Sequence, residues 1–241
     1  MEEISQPDPC FRVSGVRLRH LAVALIGIAI SACASSALPT PVPTFDAKRV
    51  AMRLESVTRL ERPAHILFSW SMNDRDARFQ GRGVARVEPP FKARLDLFSG
   101  NGETVARAAL VDDDLRLPYG TPDGIIPPAE LLWGTLGVFR PGAETTLLGA
   151  ENLGEGRVRL RYQRPDGLVV RYTVRGDGVE EVERIRQGQT VERVTLEQES
   201  TDHYPTEATY RNLAAFRELR LSRDRAALVK PYPPDIWLLS P

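Results

Sequence analysis

Apolar and polar residues alternate one for one through much of this chain. Phe91, Ala93, Leu95 and Leu97 fall on one side of a ribbon while Lys92, Arg94 and Asp96 fall on the other. Val158, Leu160 and Tyr162 alternate with Arg157, Arg159 and Arg161, and Val170, Tyr172 and Val174 with Arg171 and Arg175. A period of two predicts half-buried antiparallel strands with one wet face. Further strands are expected over residues 64–72, 76–88, 103–111, 145–152, 179–187, 190–199 and 206–221. Turn signals at Gly100-Asn101-Gly102, Pro165-Asp166-Gly167, Gly176-Asp177-Gly178 and Gly188 separate them. Two stretches break the alternation. From Thr44 to Val57, Phe45, Val50, Met52, Leu54 and Val57 mix with charged residues in helical spacing, which predicts a helix capped by Thr44. Between Pro127 and Phe139 the residues Leu131, Leu132, Thr135, Leu136 and Phe139 line one side of a second, with Pro128 suited to its first turn. The order helix, meander, short helix, meander predicts a mainly β fold. It is a single curved antiparallel sheet forming an open half barrel, with the N-terminal helix and the short central helix covering its concave face.

Charge narrows the function. The chain carries 32 Lys and Arg against 32 Asp and Glu, a balance that argues against a nucleic-acid partner. Only Lys48, Lys92 and Lys230 are lysines; the other basic residues are arginines, whose forks suit carboxylate or phosphate. Catalytic chemistry is not indicated. His65 and His203 stand far apart, with neither a Gly-x-Ser-x-Gly elbow nor a His-Glu-x-x-His helix in the sequence. Asp112-Asp113-Asp114 reads as a solvated hairpin turn, and Glu180, Glu181 and Glu183 as an exposed strand. No cofactor, metal or catalytic residue is expected.

The N-terminus has a different grammar. Arg12, Arg17, Arg19 and His20 precede the apolar run Leu21 to Ile30, and the small residues Ser31 and Ala32 follow. Charge, apolar run and small residues in that order mark an export signal. A run of about a dozen residues is shorter than the roughly 20 that span a bilayer as a helix. Ile30-Ser31-Ala32-Cys33 resembles the lipobox of bacterial lipoproteins. That resemblance implies removal of residues 1–32, acylation of Cys33 and attachment to a lipid bilayer, which two or three acyl chains hold almost permanently. With Cys33 consumed, no disulfide or thiolate metal site remains to the exported chain. Residues 33–43 then form the lipidated cysteine and a Pro-rich tether, and residues 44–241 one domain. Ala34 is not the aspartate that retains lipoproteins in the inner membrane, so the resemblance implies the periplasmic face of the outer membrane.

A second resemblance covers the domain. Gly83 to Val87 and Phe91 to Phe98 read as adjacent strands, followed by a glycine turn and the Leu131 to Phe139 helix. Tyr204-Pro205 leads into a strand, Leu213 to Leu221 is another, and Pro234 to Leu239 a terminal one. This order resembles the LolA and LolB lipoprotein carrier and receptor superfamily. The resemblance implies an apolar cavity for acyl chains of lipid or lipoprotein, with a periplasmic carrier as a further partner. Candidate lining residues are Phe68, Trp70, Phe79, Leu95, Leu97, Leu132, Trp133, Leu136, Tyr162 and Tyr172. The receptor branch carries an exposed leucine on the loop that corresponds to Phe98-Ser99-Gly100-Asn101-Gly102-Glu103. Here the tip is glycine and asparagine, which leaves Phe98 as the candidate membrane or cargo residue. The rival expectation is a non-catalytic envelope scaffold that binds a protein through its sheet rim or its arginine-rich face.

Overall fold

The computed structural model describes residues 46–75, 77–121, 124–199 and 203–239. Thr44, the tether, the lipobox residues and Cys33 lie outside them. Residues from Pro41 to Pro241 form one compact unit. Its elements are α1 (Ala47–Thr58), β1 (Ala64–Asp74), β2 (Ala77–Glu88), β3 (Lys92–Ser99), β4 (Thr104–Val111), β5 (Asp114–Arg116) and α2 (Ala129–Thr135). There follow β6 (Thr146–Gly154), β7 (Arg157–Gln163), β8 (Val169–Arg175), β9 (Gly178–Arg186), β10 (Gln189–Glu197), β11 (Glu207–Asn212) and β12 (Arg217–Leu228).

All twelve strands belong to one antiparallel sheet in the order β5-β4-β3-β2-β1-β12-β11-β10-β9-β8-β7-β6. The first and last strands join the two meanders, from Ala64 opposite Leu228 to Asp74 opposite Arg217. The sheet does not close, because β5 and β6 remain as edges. The expected mainly β, open half barrel with two helices is therefore the architecture found. Along each strand the apolar set predicted by alternation faces inward: Ile66, Phe68, Trp70 and Met72 on β1, Leu95 and Leu97 on β3, Leu160 and Tyr162 on β7 are all buried.

Two glycines shape the middle of this face. Phe68 lies opposite Gly83 and Trp70 opposite Gly81, so each aromatic ring spreads over a position that lacks a side chain. The Trp70 indole N–H donates to the carbonyls of Arg82 and Phe98, both at 3.0 Å. A Cβ at Gly83 would lie 2.2 Å from the Phe68 ring, and one at Gly81 only 1.9 Å from the Phe98 carbonyl oxygen. Backbone cannot swing aside as a side chain can. Gly81→Ala is expected to lower stability by about 1–3 kcal/mol through overpacking, read as a lower urea midpoint with unchanged slope; an unchanged midpoint would show that β2 and β3 separate freely there.

The helices are shorter than their periodicities suggested. α1 is capped by Asp46, whose carboxylate accepts the Arg49 N–H at 3.1 Å, and not by Thr44. α2 stops at Thr135 because Gly137 takes a left-handed φ of 77° and closes the end. The Gly137 N–H bonds to the Gly134 carbonyl at 2.8 Å and the Val138 N–H to the Trp133 carbonyl at 3.0 Å, a Schellman arrangement. Phe139 therefore leaves the helix, and its N–H donates to Thr58 Oγ1 of α1 at 2.9 Å.

Two strand expectations and one turn expectation are corrected. The 206–221 run is two strands, turned at residues 213–216, where Phe216 takes a φ of 56° and the Asn212 side chain accepts the Ala215 N–H at 2.9 Å. No glycine announced that turn. Pro234–Trp237 is a 3-10 helix instead of a terminal strand, since two successive prolines deny it ladder donors. The acidic run contributes a turn at Asp112-Asp113, as expected, but Asp114 opens a short edge strand that alternation over so few residues did not mark.

Candidate functional site

Between α2 and the sheet lies an apolar cavity. Ile66 and Phe68 of β1, Ala85 of β2, Ala93 and Leu95 of β3, Ala208 of β11 and Leu221 of β12 form the sheet side. Leu132, Thr135 and Leu136 cover it from the helix, and Tyr204 and Pro205 close one end. Its free volume is about 40 Å³, room for a few waters at roughly 10–15 Å³ each. An acyl chain does not fit unless α2 moves. A second hollow, more open and more polar, with about 550 Å³ free, lies beside Gly137 and is bordered by Val57, Val179, Leu196 and His203.

α2 is buried on every side from Glu130 to Thr135, and what holds it is mixed in character. On the sheet side Gly134 rests on Val182 and Val194; an added Cβ would lie 2.9 Å from Val182 Cγ2. At its first turn the buried carboxylate of Glu130 faces two arginines. Arg164 donates to it at 3.2 Å, and Arg184 Nε stands 3.1 Å away as an ion pair without hydrogen-bond alignment. Arg184 also pairs with Glu192, which accepts the Tyr210 hydroxyl at 2.6 Å. This polar chain runs across the concave face from helix to β9, β10 and β11. At the other end the Trp133 indole N–H donates to the Asp112 carbonyl at 2.7 Å.

Beyond α2 the chain straps the two meanders together. Arg140 pairs with Asp113 at 2.9 Å in the β4–β5 turn and sits over the Phe91 ring at 4.0 Å. Its carbonyl accepts the Tyr172 hydroxyl of β8 at 2.7 Å. Tyr172, Tyr162 and Phe139 meet edge to face, the closest pair 4.7 Å apart. Burial, reinforced by the Glu55 carboxylate, pushes the Tyr162 phenol up to about 12. A phenol whose pKa is raised on folding contributes stability below pH 10 that is lost as pH rises through 12. Tyr162→Phe is expected to flatten the alkaline branch of a stability–pH curve between pH 10 and 12; an unaltered branch would mean that Tyr162 is solvated.

The structure gathers four of the expected lining residues, Phe68, Leu95, Leu132 and Leu136, around the cavity. Leu97 is fully buried beyond it, and Trp70 is held over Gly81. Trp133 packs against Phe91, and Tyr162 and Tyr172 belong to the aromatic core beneath the strap. Phe79 shares the concave face but is 52 % exposed, outside the cavity. Phe98, opposite Arg82, is half-buried on the face opposite to Leu97. Sequence reasoning missed Ile66, Leu221, Tyr204 and the Glu130, Arg184 and Glu192 chain. A lone glutamate inside an apolar helical run was the available signal.

Glu183 corrects the reading of an exposed acidic strand. It is 1 % exposed on the outer face, sandwiched between Arg171 and Arg193. Asp96 sits likewise among Arg86, Arg94 and Arg107. Many of the arginines therefore neutralise carboxylates of their own sheet. Among the described residues no three His, Cys, Asp or Glu side chains are grouped so as to hold a metal.

With this geometry known solved structures can be compared. A LolA superfamily protein of Nitrosomonas europaea superposes with a TM-score of 0.53, at 11 % identity over 80 % of this chain and 97 % of that one. The chain has the LolA-like fold. Looser superpositions are found with an outer membrane lipoprotein-sorting protein domain from Vibrio parahaemolyticus, TM-score 0.48, 10 % identity, covering 80 % of this chain and 97 % of that one. A DUF1329 family protein from Desulfovibrio piger gives 0.48 at 10 % identity, covering 79 % and 95 %. No family model matches the sequence, and no curated protein does. The likeness is one of fold, and the side chains that line the cavity are this chain's own.

Proposed function

We propose that this protein is a lipid-anchored envelope protein that takes an acyl chain of lipid or lipoprotein between sheet and α2, in lipoprotein localisation or lipid trafficking. The carrying observation is the apolar cavity lined by Ile66, Phe68, Leu95, Leu132, Leu136 and Leu221 under a helix whose attachment includes polar contacts. Hydrocarbon leaves water for such a face at about 25 cal/mol per Å², with no catalytic group required. On this reading α2 shifts for the chain to enter, since the free volume beneath it is about 40 Å³. Cys33 supplies the anchor on this reading, and the periplasmic face of the outer membrane is the site of action. Membrane fractionation of Cys33→Ser tests the anchor: retention of uncleaved precursor in the inner membrane is expected, and unchanged sorting contradicts it.

The small volume of the cavity favours one second reading, a scaffold that binds a protein partner through its rim. Organic extraction and native mass spectrometry of residues 41–241, exported behind a cleavable signal that leaves no lipidated cysteine and purified from the periplasm, separate the two. Co-purifying acyl lipid in near-stoichiometric amount supports the carrier; a lipid-free domain selects the scaffold.

A further inference from the structure

The hairpins β1–β2 and β11–β12 end side by side. Asp74 lies opposite Ala77 within the first and opposite Arg217 across the β1–β12 seam, and its carboxylate holds Arg217 at 2.6 Å. Both turns contain a non-glycine residue in the left-handed region, Arg75 at φ 51° and Phe216 at φ 56°. For a bulky aromatic this backbone is uncommon and destabilising. Nothing in the fold compensates it, because the Phe216 ring is 79 % exposed. Leu213 in the same turn is 41 % exposed, and Phe79, just inside the neighbouring hairpin, 52 %. The fold thus presents two phenylalanines and a leucine to water at one end of the sheet, one of them at the expense of backbone ease.

The surrounding charge identifies the surface they suit. By sequence Arg75, Arg78, Arg211 and Arg217 stand at these hairpins with the carboxylates Asp74, Asp76 and Glu218, an excess of one positive charge. Arg75 and Arg78 are exposed and pair with no carboxylate among the described residues. Exposed aromatic and aliphatic tips beside the exposed guanidinium groups of Arg75 and Arg78 match the interface of an anionic bilayer, where rings enter the headgroup boundary and cations meet lipid phosphate. The β3–β4 turn at the same end, Gly100-Asn101-Gly102-Glu103, offers no apolar side chain. Asp46 lies thirteen positions after Cys33, an extended reach of about 40 Å at 3.1 Å per residue. That is also about the length of a twelve-residue strand, so the tether permits this end to face the membrane. Only this tether argument rests on the anchor proposed above.

We infer that the paired tips of β1–β2 and β11–β12, with Phe216 foremost, form a membrane-docking rim that seats this end of the half barrel on anionic lipid. Residues 41–241 hold the whole sheet, both helices and the core in one compact unit and lack Cys33, so flotation of this piece with lipid vesicles reads the rim alone. Binding is expected to vesicles containing about 30 % phosphatidylglycerol and to fall about tenfold on pure phosphatidylcholine. Phe216→Gly separates docking from folding, because glycine accepts positive φ without strain. It is expected to raise the urea midpoint while weakening vesicle binding about tenfold. Absence of binding to the anionic vesicles, or binding that Phe216→Gly leaves unchanged, overturns the inference. Neither result touches the cavity reading, which lipid extraction tests separately.

Discussion

Arg184→Met is expected to destabilise the domain by about 3–5 kcal/mol, the cost of leaving buried carboxylates without their counter-charge. Glu130 is 5 % exposed and the Glu192 side chain 11 %, and both are neutralised by the same guanidinium, itself 17 % exposed. Removing Arg184 leaves Glu130 to Arg164 alone, whose side chain is 38 % exposed, and leaves Glu192 with the Tyr210 hydroxyl. Solvent cannot reach either acid well enough to replace the lost partner. The control is Arg184→Met combined with Glu130→Gln and Glu192→Gln, in which no buried charge is orphaned; much of the stability should return, since neutral replacement of a whole buried ionic group is often tolerated. Urea denaturation of the two variants against the wild-type chain measures the difference. A single Arg184→Met costing under about 1 kcal/mol would place this chain among solvated surface pairs. The result also bears on α2, because hydrogen exchange of its amides should accelerate when its first turn loses Arg184.

The architecture was legible because alternation is a long-range signal in a sheet with one wet face. Each inward position on β3, β7 and β8 was marked by an arginine, lysine or aspartate beside it, and the register followed. Elements governed by a few backbone torsions were not legible. The left-handed turn at Phe216 and the end of α2 at Gly137 depend on single φ values, and periodicity ran straight through both. The cavity was only half legible for a related reason: alternation says which side of a strand a residue faces, not what covers it. Phe68 and Leu95 lie beneath Leu132 and Leu136, whereas Phe79, on the same face, extends past the helix into solvent. The acidic residues failed differently. Glu183 and Asp96 read as solvated and Glu130 was not singled out, yet all are buried. Long arginine side chains lie over Glu183 and Asp96 from neighbouring strands, and α2 carries Glu130 into contact with arginines remote in sequence. Such pairs are set by strand order, which a single sequence does not state.

A disulfide between residues 134 and 182 is expected to abolish acyl-chain uptake while strengthening the fold. An added Cβ at Gly134 lies 3.5 Å from Val182 Cβ, within the about 3.5–4.5 Å that a disulfide spans. Gly134→Cys alone would press on Val182 Cγ2 at 2.9 Å, but Val182→Cys removes that methyl, so the pair makes its own room. Residues 41–241 contain no other cysteine, which makes oxidation unambiguous. The closed loop of about 48 residues gives roughly 4 kcal/mol of stabilisation in the chain-entropy estimate, provided the packing of fully buried Val182 is largely preserved. The bond fastens the middle of α2 to β9. If Leu132 and Leu136 must lift off Phe68 and Leu95 before a chain can enter, the oxidised double variant should take up a fluorescent fatty acid at least about tenfold less than wild type, by population of the open state alone. Reduction with dithiothreitol should restore uptake, and Val182→Cys alone should bind as the wild type does with or without reductant. Oxidised protein that still takes up the probe would mean that α2 stays in place during binding. Lipid would then have to enter through the open hollow beside Gly137 instead, and the helix would be core and not gate.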